Sequence, residues 1–206
     1  MEFTDVVRRR RMIRSFKDVP LPAGTADRLL RIANRAPSAG FSQGYSFLVL
    51  EGEDQAPLWD LLYAESASDR TTADDGPEQV DALKRAPLVI VPLACKEVYL
   101  DRYARPEKGL AREESAHPVP YWYIDTGFTA LLTLLAVVDE GLGAVFFGVG
   151  GRGEIDDFRA RYGVPPEWEP IGAIAIGYPD PDTDPVPPAR PGDRKSLTDL
   201  VHHGRW

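Results

Sequence analysis

The run from Tyr121 to Val149, YWYIDTGFTALLTLLAVVDEGLGAVFFGV, restricts what this chain can fold into more than any other stretch. Phe128, Leu131, Leu132 and Leu135 recur at helical spacing on one face, while Leu134, Val137 and Val138 load the adjoining face and leave only a narrow polar strip. A helix apolar nearly all round has to be buried, so the spacing predicts a central core helix over Ile124–Val138. A membrane span is disfavoured, because Asp125, Thr126, Thr129, Thr133 and Asp139 interrupt the run short of the roughly 18 unbroken apolar residues a span needs. Gly141 is a natural helix stop, and Gly143–Gly148 then reads as a short buried strand whose glycines let the backbone run close to something flat. Helix, glycine turn and strand together suggest a bound ligand.

With 206 residues and no low-complexity break before Pro179, the expectation is one domain, a single compact α/β unit. The net charge of −8 argues against nucleic acid or an anionic membrane surface as the main partner, since either needs a basic face, and leaves a small molecule. The one cysteine, Cys95, cannot close an internal disulfide, and MEFTDVVRRRR carries no apolar signal segment. A reducing cytoplasm is the expected location.

Glu2–Arg10 can form a short helix with Phe3, Val6 and Val7 on one side. After it, RRRRMIRSF places five arginines in the seven positions from Arg8 to Arg14, with Met12, Ile13 and Phe16 interleaved. Part of the segment must face a core while its arginines reach past it. A solvated basic face and an anion site both remain open on these residues alone. A helix opened at Gly24 or Thr25 runs through Ala33 and ends before Pro37. The loop APSAGFSQGYS then presents Ser38, Ser42 and Gln43 beside Phe41 and Tyr45, either as a plain connector or as the wall of an aromatic ligand with polar edges.

Leu58–Tyr63 reads as a helix, Ser66–Glu78 as a polar loop and Val80–Arg85 as a helical turn. Leu88–Cys95 reads as a central strand with Pro92 hinting at its end and Cys95 as core filling. Tyr99–Tyr123 carries aromatics at both ends of a charged middle and reads as a mobile lid or a solvated insertion. Glu154–Tyr162 is expected as a surface helix and Pro170–Gly177 as an inner strand. Six prolines between Pro179 and Pro191 force an extended path of roughly 40 Å. Beyond them Leu197, Leu200, Val201 and Trp206 offer something to dock, which reads as an arm crossing to a second subunit. His202 and His203 sit in that arm without metal spacing around them.

Taken in order, RRMIRSF, APSAGFSQGYSF, YWYIDTGFTALLTLLAVVDEGLGAVFFG, IGAIAIGYPDP and DRKSLTDLV resemble the nitroreductase superfamily of FMN-dependent oxidoreductases over nearly the whole chain. The resemblance implies an α+β fold in three layers, a mostly antiparallel sheet flanked by helices. It also implies an intertwined homodimer with two FMN sites at the subunit interface and the 179–206 arms exchanged. Position by position, Arg10 and Arg11 match the residues that hold the flavin phosphate, and Met12 stands where the family usually has Ser. Arg14 matches the cation beside the pyrimidine edge of the ring. Pro37, Ser38 and Gln43 match the loop supplied by the other subunit, Phe147 and Gly148 belong to the turn whose backbone lies against the ring, and Arg194 matches a late basic residue returning to the phosphate. Phe41, Tyr45 and Tyr121 are expected on the substrate face, with Phe41 where the family usually has Asn and Gly44 where it usually has Pro.

The chemistry implied is hydride transfer from NADH or NADPH to a nitroaromatic, quinone or related planar acceptor, with no catalytic side chain and no metal. A fixed cation at Arg14 would stabilise the negative charge of a reduced flavin. Flavin-consuming, reductive-dehalogenating and deazaflavin-binding members, and a non-catalytic flavin carrier, are the alternatives.

Overall fold

The computed structural model describes residues 1–63, 77–150, 152–184 and 194–206. The polar loop expected from Ser66 lies mostly outside them, as do Pro185 to Pro191 of the proline-rich stretch.

Five strands build one sheet: β1 (Tyr45–Glu51), β2 (Leu88–Cys95), β3 (Gly143–Phe147), β4 (Trp168–Pro170) and β5 (Ala173–Gly177). Their order is β1-β2-β5-β3, with β4 also against β2, and every ladder is antiparallel. Period-two alternation then makes two cores. Val89, Val91, Ala173, Ala175 and Val145 point to one face, while Leu88, Ile90, Ile174, Ile176 and Ala144 point to the other. The first face is covered from α3 (Ala56–Tyr63), α4 (Pro77–Lys84) and α7 (Arg152–Tyr162), through residues such as Leu58, Trp59, Leu83 and Phe158. The second is covered by α2 (Thr25–Ala33) and α6 (Tyr121–Asp139), through Leu29, Leu134 and Val137. The result is the three-layer α+β fold, with an antiparallel sheet flanked by helices, that the family resemblance implied.

Pro92 does not end β2. Its carbonyl accepts the Ile171 N–H at 3.1 Å, so its missing donor faces the side where the ladder passes from β5 (paired as far as Ile90) to β4 (paired from Leu93). No ladder bond is lost at that gap, which is where a strand tolerates proline.

The central helix is real but is not buried all round. Its hidden face carries Asp125, Thr126, Thr129 and Thr133, while Ile124, Phe128 and Leu131 are 39, 41 and 48 % exposed. The threonines are cheap to bury because each hydroxyl donates to a carbonyl of its own helix: Thr126 to Trp122, Thr129 to Thr126 and Thr133 to Thr129. By length and composition α6 could cross a membrane, but half of that window is buried, against α2 and the sheet. Glu140 caps it and Gly141 follows at φ 76°, the left-handed stop expected there.

The region read as a lid is partly core. Tyr99, on α5 (Lys96–Tyr103), and Trp122 are 1 and 3 % exposed and meet edge-on with Ala94 beneath them. Only the middle, from Arg105 to Ser115, is largely solvated. Cys95 is buried at the end of β2, and burial pushes its thiol up.

Candidate functional site

The segment after α1 (Phe3–Arg9) is extended and stitched to the sheet edge. Met12 bridges Ala144, Ile13 N–H donates to the Ala144 carbonyl at 2.9 Å, and Phe16 bridges Pro179. The Met12 sulfur accepts the Phe146 N–H at 3.5 Å, so it is tied to β3. Gly143 lies under this segment, where an added Cβ would meet Ile13 and Pro179 side chains at 2.9 Å. Its close approach is therefore to the chain itself, whereas exposed Gly148 has open space around it.

The arginines part company. Arg11 ion-pairs at 3.0 Å with Asp184, whose side chain is 2 % exposed, and Ser15 hydrogen-bonds Thr183 at 2.6 Å, so both face the Asp180–Asp184 turn. Arg11 thus fastens that turn. Arg10 and Arg14 are half-buried, and among the described residues neither side chain has a carboxylate within 4.0 Å. Two such guanidinium groups in a chain of net charge −8 make a site with the right chemistry for a dianion and a second negative edge. The backbone of Phe147 and Gly148 emerges next to Met12, while the Phe147 ring turns away to stack on Trp59 at 5.8 Å.

The loop from Pro37 to Gly44 is a second group. Ser38 Oγ accepts the Gln43 N–H at 3.1 Å and Ser42 Oγ donates to the Ala39 carbonyl at 2.6 Å. Phe41 and Gln43 both have left-handed backbones, at φ 51° and 55°. What holds them so is a residue that pattern reading treated as a polar interruption. Asp125, 3 % exposed, accepts both the Ala39 N–H and the Tyr99 hydroxyl on its Oδ2, each at 2.7 Å. Burial first, then the hydrogen bond and charge of Asp125, push the Tyr99 phenol up, so it stays a donor. The signal that could have found this was an acid one turn inside an apolar helix, since a buried carboxylate needs partners. Gly44 is required by the same packing: a Cβ there would meet Tyr99 at 2.5 Å and the Cys95 carbonyl at 2.8 Å.

Phe41 is 77 % exposed and Tyr121 42 %, both available to an outside molecule. Tyr45 is not. It is 9 % exposed, tilts against Phe47 at 6.0 Å and donates to Asn34 at 3.4 Å, so it supports the base of the loop and does not line an open face. Arg194 begins a terminal segment with a four-residue helix, α8 (Leu197–Leu200), and is exposed. Leu197, Leu200, Val201 and Trp206 are 76, 56, 46 and 99 % exposed, so nothing among the described residues covers them. Among the described residues there is no group of three or more His, Cys, Asp or Glu able to hold a metal.

A bulky side chain at positive φ carries strain that Asn largely avoids, of about 1–2 kcal/mol. Phe41→Asn is therefore expected to raise the melting temperature by roughly 2–8 °C, read by calorimetry. An unchanged or lower value would mean the Phe41 ring has a partner that offsets the strain.

The fold defines a three-layer α+β protein with an antiparallel sheet, and comparison with known proteins fixes its family. Residues 7–178 match the Nitroreductase family, and the chain belongs to it. A Methanothermobacter thermautotrophicus protein with the provisional name NADH dehydrogenase/NAD(P)H nitroreductase is 23 % identical over 100 % of this chain and 88 % of its own length. Among solved structures, a Lactococcus lactis nitroreductase in complex with nicotinic acid superposes with a TM-score of 0.74, at 20 % identity and covering 98 % of both chains. A protein provisionally named an NADH oxidase, from Clostridium acetobutylicum, gives 0.65 at 24 % identity, covering 98 % of this chain and all of its own.

Proposed function

We propose that this protein is an FMN-dependent oxidoreductase that takes hydride from NADH or NADPH and delivers it to a small planar acceptor, a nitroaromatic or quinone, as a cytoplasmic homodimer. The observation that carries this reading is the pair Arg10 and Arg14, half-buried beside Met12 and the end of β3 with no carboxylate partner among the described residues. When bound there, the flavin supplies the hydride chemistry. Arg10 would hold its phosphate, Arg14 would supply a positive charge favouring the reduced, more negative ring, and Met12 would offer a polarisable apolar surface. No acid or base from the chain is needed in this scheme. The names of the relatives and the nicotinic acid held by the Lactococcus protein agree with an aromatic ligand and a nicotinamide reductant.

The Ser38–Gln43 loop makes no hydrogen bond or ion pair with Arg10, Met12 or Arg14 among the described residues. A second copy of the chain brings the loop to the cofactor and covers the Ile124, Phe128 and Leu131 stripe of α6, together with exposed Phe3 and Val7 of α1. Charging that stripe with Phe128→Glu should convert a dimer into a monomer in light scattering and release the flavin with it. A Phe128→Glu protein that stays dimeric places the interface elsewhere.

The reading as a whole is tested by the absorbance spectrum of the purified protein. A flavin band that bleaches on adding NADH or NADPH and returns with a nitroaromatic is the expected result. A colourless protein that takes up no added FMN rejects it. The same assay reads Phe41, which we assign to narrowing the acceptor face: Phe41→Asn should turn over small nitroaromatics faster while keeping its flavin.

A further inference from the structure

A groove of about 400 Å³ separates the loop from α5, within the range of small-molecule sites. Its apolar surface comes from Phe41 and Val98, and its polar rim from Ser42, Asp101, Arg102 and Arg105. We propose that this groove selects planar acceptors that carry an anionic group, aromatic carboxylates first among them, with the ring on Phe41 and the anion at Arg105 and Arg102. The proposal rests on the reading that the Ser38–Gln43 loop lies beside the flavin, and it adds the class of acceptor.

The two arginines are prepared differently. Arg102 is fixed: its Nε donates to the Gly40 carbonyl at 2.9 Å and its Nη1 to Glu107 at 2.7 Å, which ties α5 to the loop. Glu107 stays ionised, its carboxyl held below the usual range by its own backbone N–H and then by Arg102. An incoming carboxylate therefore competes for Arg102. Arg105 is exposed and has no carboxylate within 4.0 Å among the described residues, so it is the group that can discriminate. The acid on the rim does not oppose this, because Asp101 is engaged by Arg112. Exposed Phe41, held at φ 51°, supplies a flat face on which an aromatic ring stacks and a cation can also rest.

The test compares 4-nitrobenzoate with nitrobenzene as acceptors for the flavin-loaded enzyme, and measures 4-nitrobenzoate binding by calorimetry. Arg105→Ala should lower the 4-nitrobenzoate to nitrobenzene ratio of kcat/KM about tenfold, through KM, and Arg105→Glu should lower it further. The surface variant Arg31→Ala should leave the ratio as it is. Calorimetric affinity for 4-nitrobenzoate should fall in the same order. If both Arg105 variants keep the ratio and the affinity, the groove does not read anions and the proposal is overturned. If only the NADPH to NADH preference moves, the arginines read the reductant's phosphate and the acceptor assignment is overturned. Arg105-dependent binding in a protein that turns over no acceptor would sustain the groove while rejecting the catalytic reading above.

Discussion

Asp125→Ala is expected to lower the melting temperature by roughly 6–20 °C and to release the flavin. The carboxylate is 3 % exposed and is the acceptor for two donors, the Ala39 N–H and the Tyr99 hydroxyl, both at 2.7 Å. Removing it takes the acceptor from the buried Tyr99 hydroxyl and the part-buried Ala39 N–H, at about 1–3 kcal/mol apiece, and opens a small void, for a total of about 3–5 kcal/mol. For a chain of this size each kcal/mol moves the midpoint by about 2–4 °C. The loop would then lose the contact that holds Phe41 and Gln43 at positive φ, and relax toward ordinary backbone angles. Asp125→Asn keeps the shape and one acceptor oxygen, so a smaller loss is expected. Tyr99→Phe retains the ring packed on Gly44 and should fall between the two. Melting of the alanine variant within about 2 °C of the parent would show that the loop is held by something else.

Arg14→Ala is expected to weaken FMN binding by roughly 10–100-fold, in a fluorescence titration of the apoprotein. A hydrogen bond to a charged group contributes about 1.5–3 kcal/mol, and a decade of affinity corresponds to about 1.4 kcal/mol. Arg14 is half-buried without a carboxylate partner among the described residues, so the bound anion meets little competition there. Arg11 supplies the contrast, since its guanidinium already faces Asp184 at 3.0 Å. Its alanine variant should loosen the Asp180–Asp184 turn while leaving flavin affinity within about threefold of the parent, a difference of about 0.6 kcal/mol. Equal losses from Arg11→Ala and Arg14→Ala would mean that Asp184 yields Arg11 to the phosphate, as the family resemblance implies.

That contrast shows where pattern reading stops. Four consecutive arginines carry no record of which way each one faces; the Met12–Ala144 bridge and the Asp180–Asp184 turn decide it, and both are long-range contacts. Pro92 misleads for a related reason. A proline costs a strand only where its missing N–H would have met a partner, and at Pro92 the neighbouring strand changes from β5 to β4. The lid reading failed at Tyr99 and Trp122 because aromatics flanking a charged run look alike whether they wave or pack. Gly44 and Asp125, the partners that fix Tyr99, are far from it in sequence.

The sequence by itself determined the elements that depend on local periodicity and local chemistry. These are the long helix with its glycine stop, the apolar β2, the alternation of Ile with small residues in β5, and the helix from Thr25, together with the ordered motifs that carry the family. Only the tertiary structure decided which side of each element is inside. On α6 the threonines and Asp125 turn inward and Ile124, Phe128 and Leu131 turn outward, the reverse of what hydropathy alone would assign. The physical reason is that burial cost attaches to unsatisfied polar atoms and not to polar residues. A threonine bonded to its own helix and a carboxylate bonded to a loop N–H and a phenol are satisfied, and an apolar stripe left facing outward is what a second chain can cover.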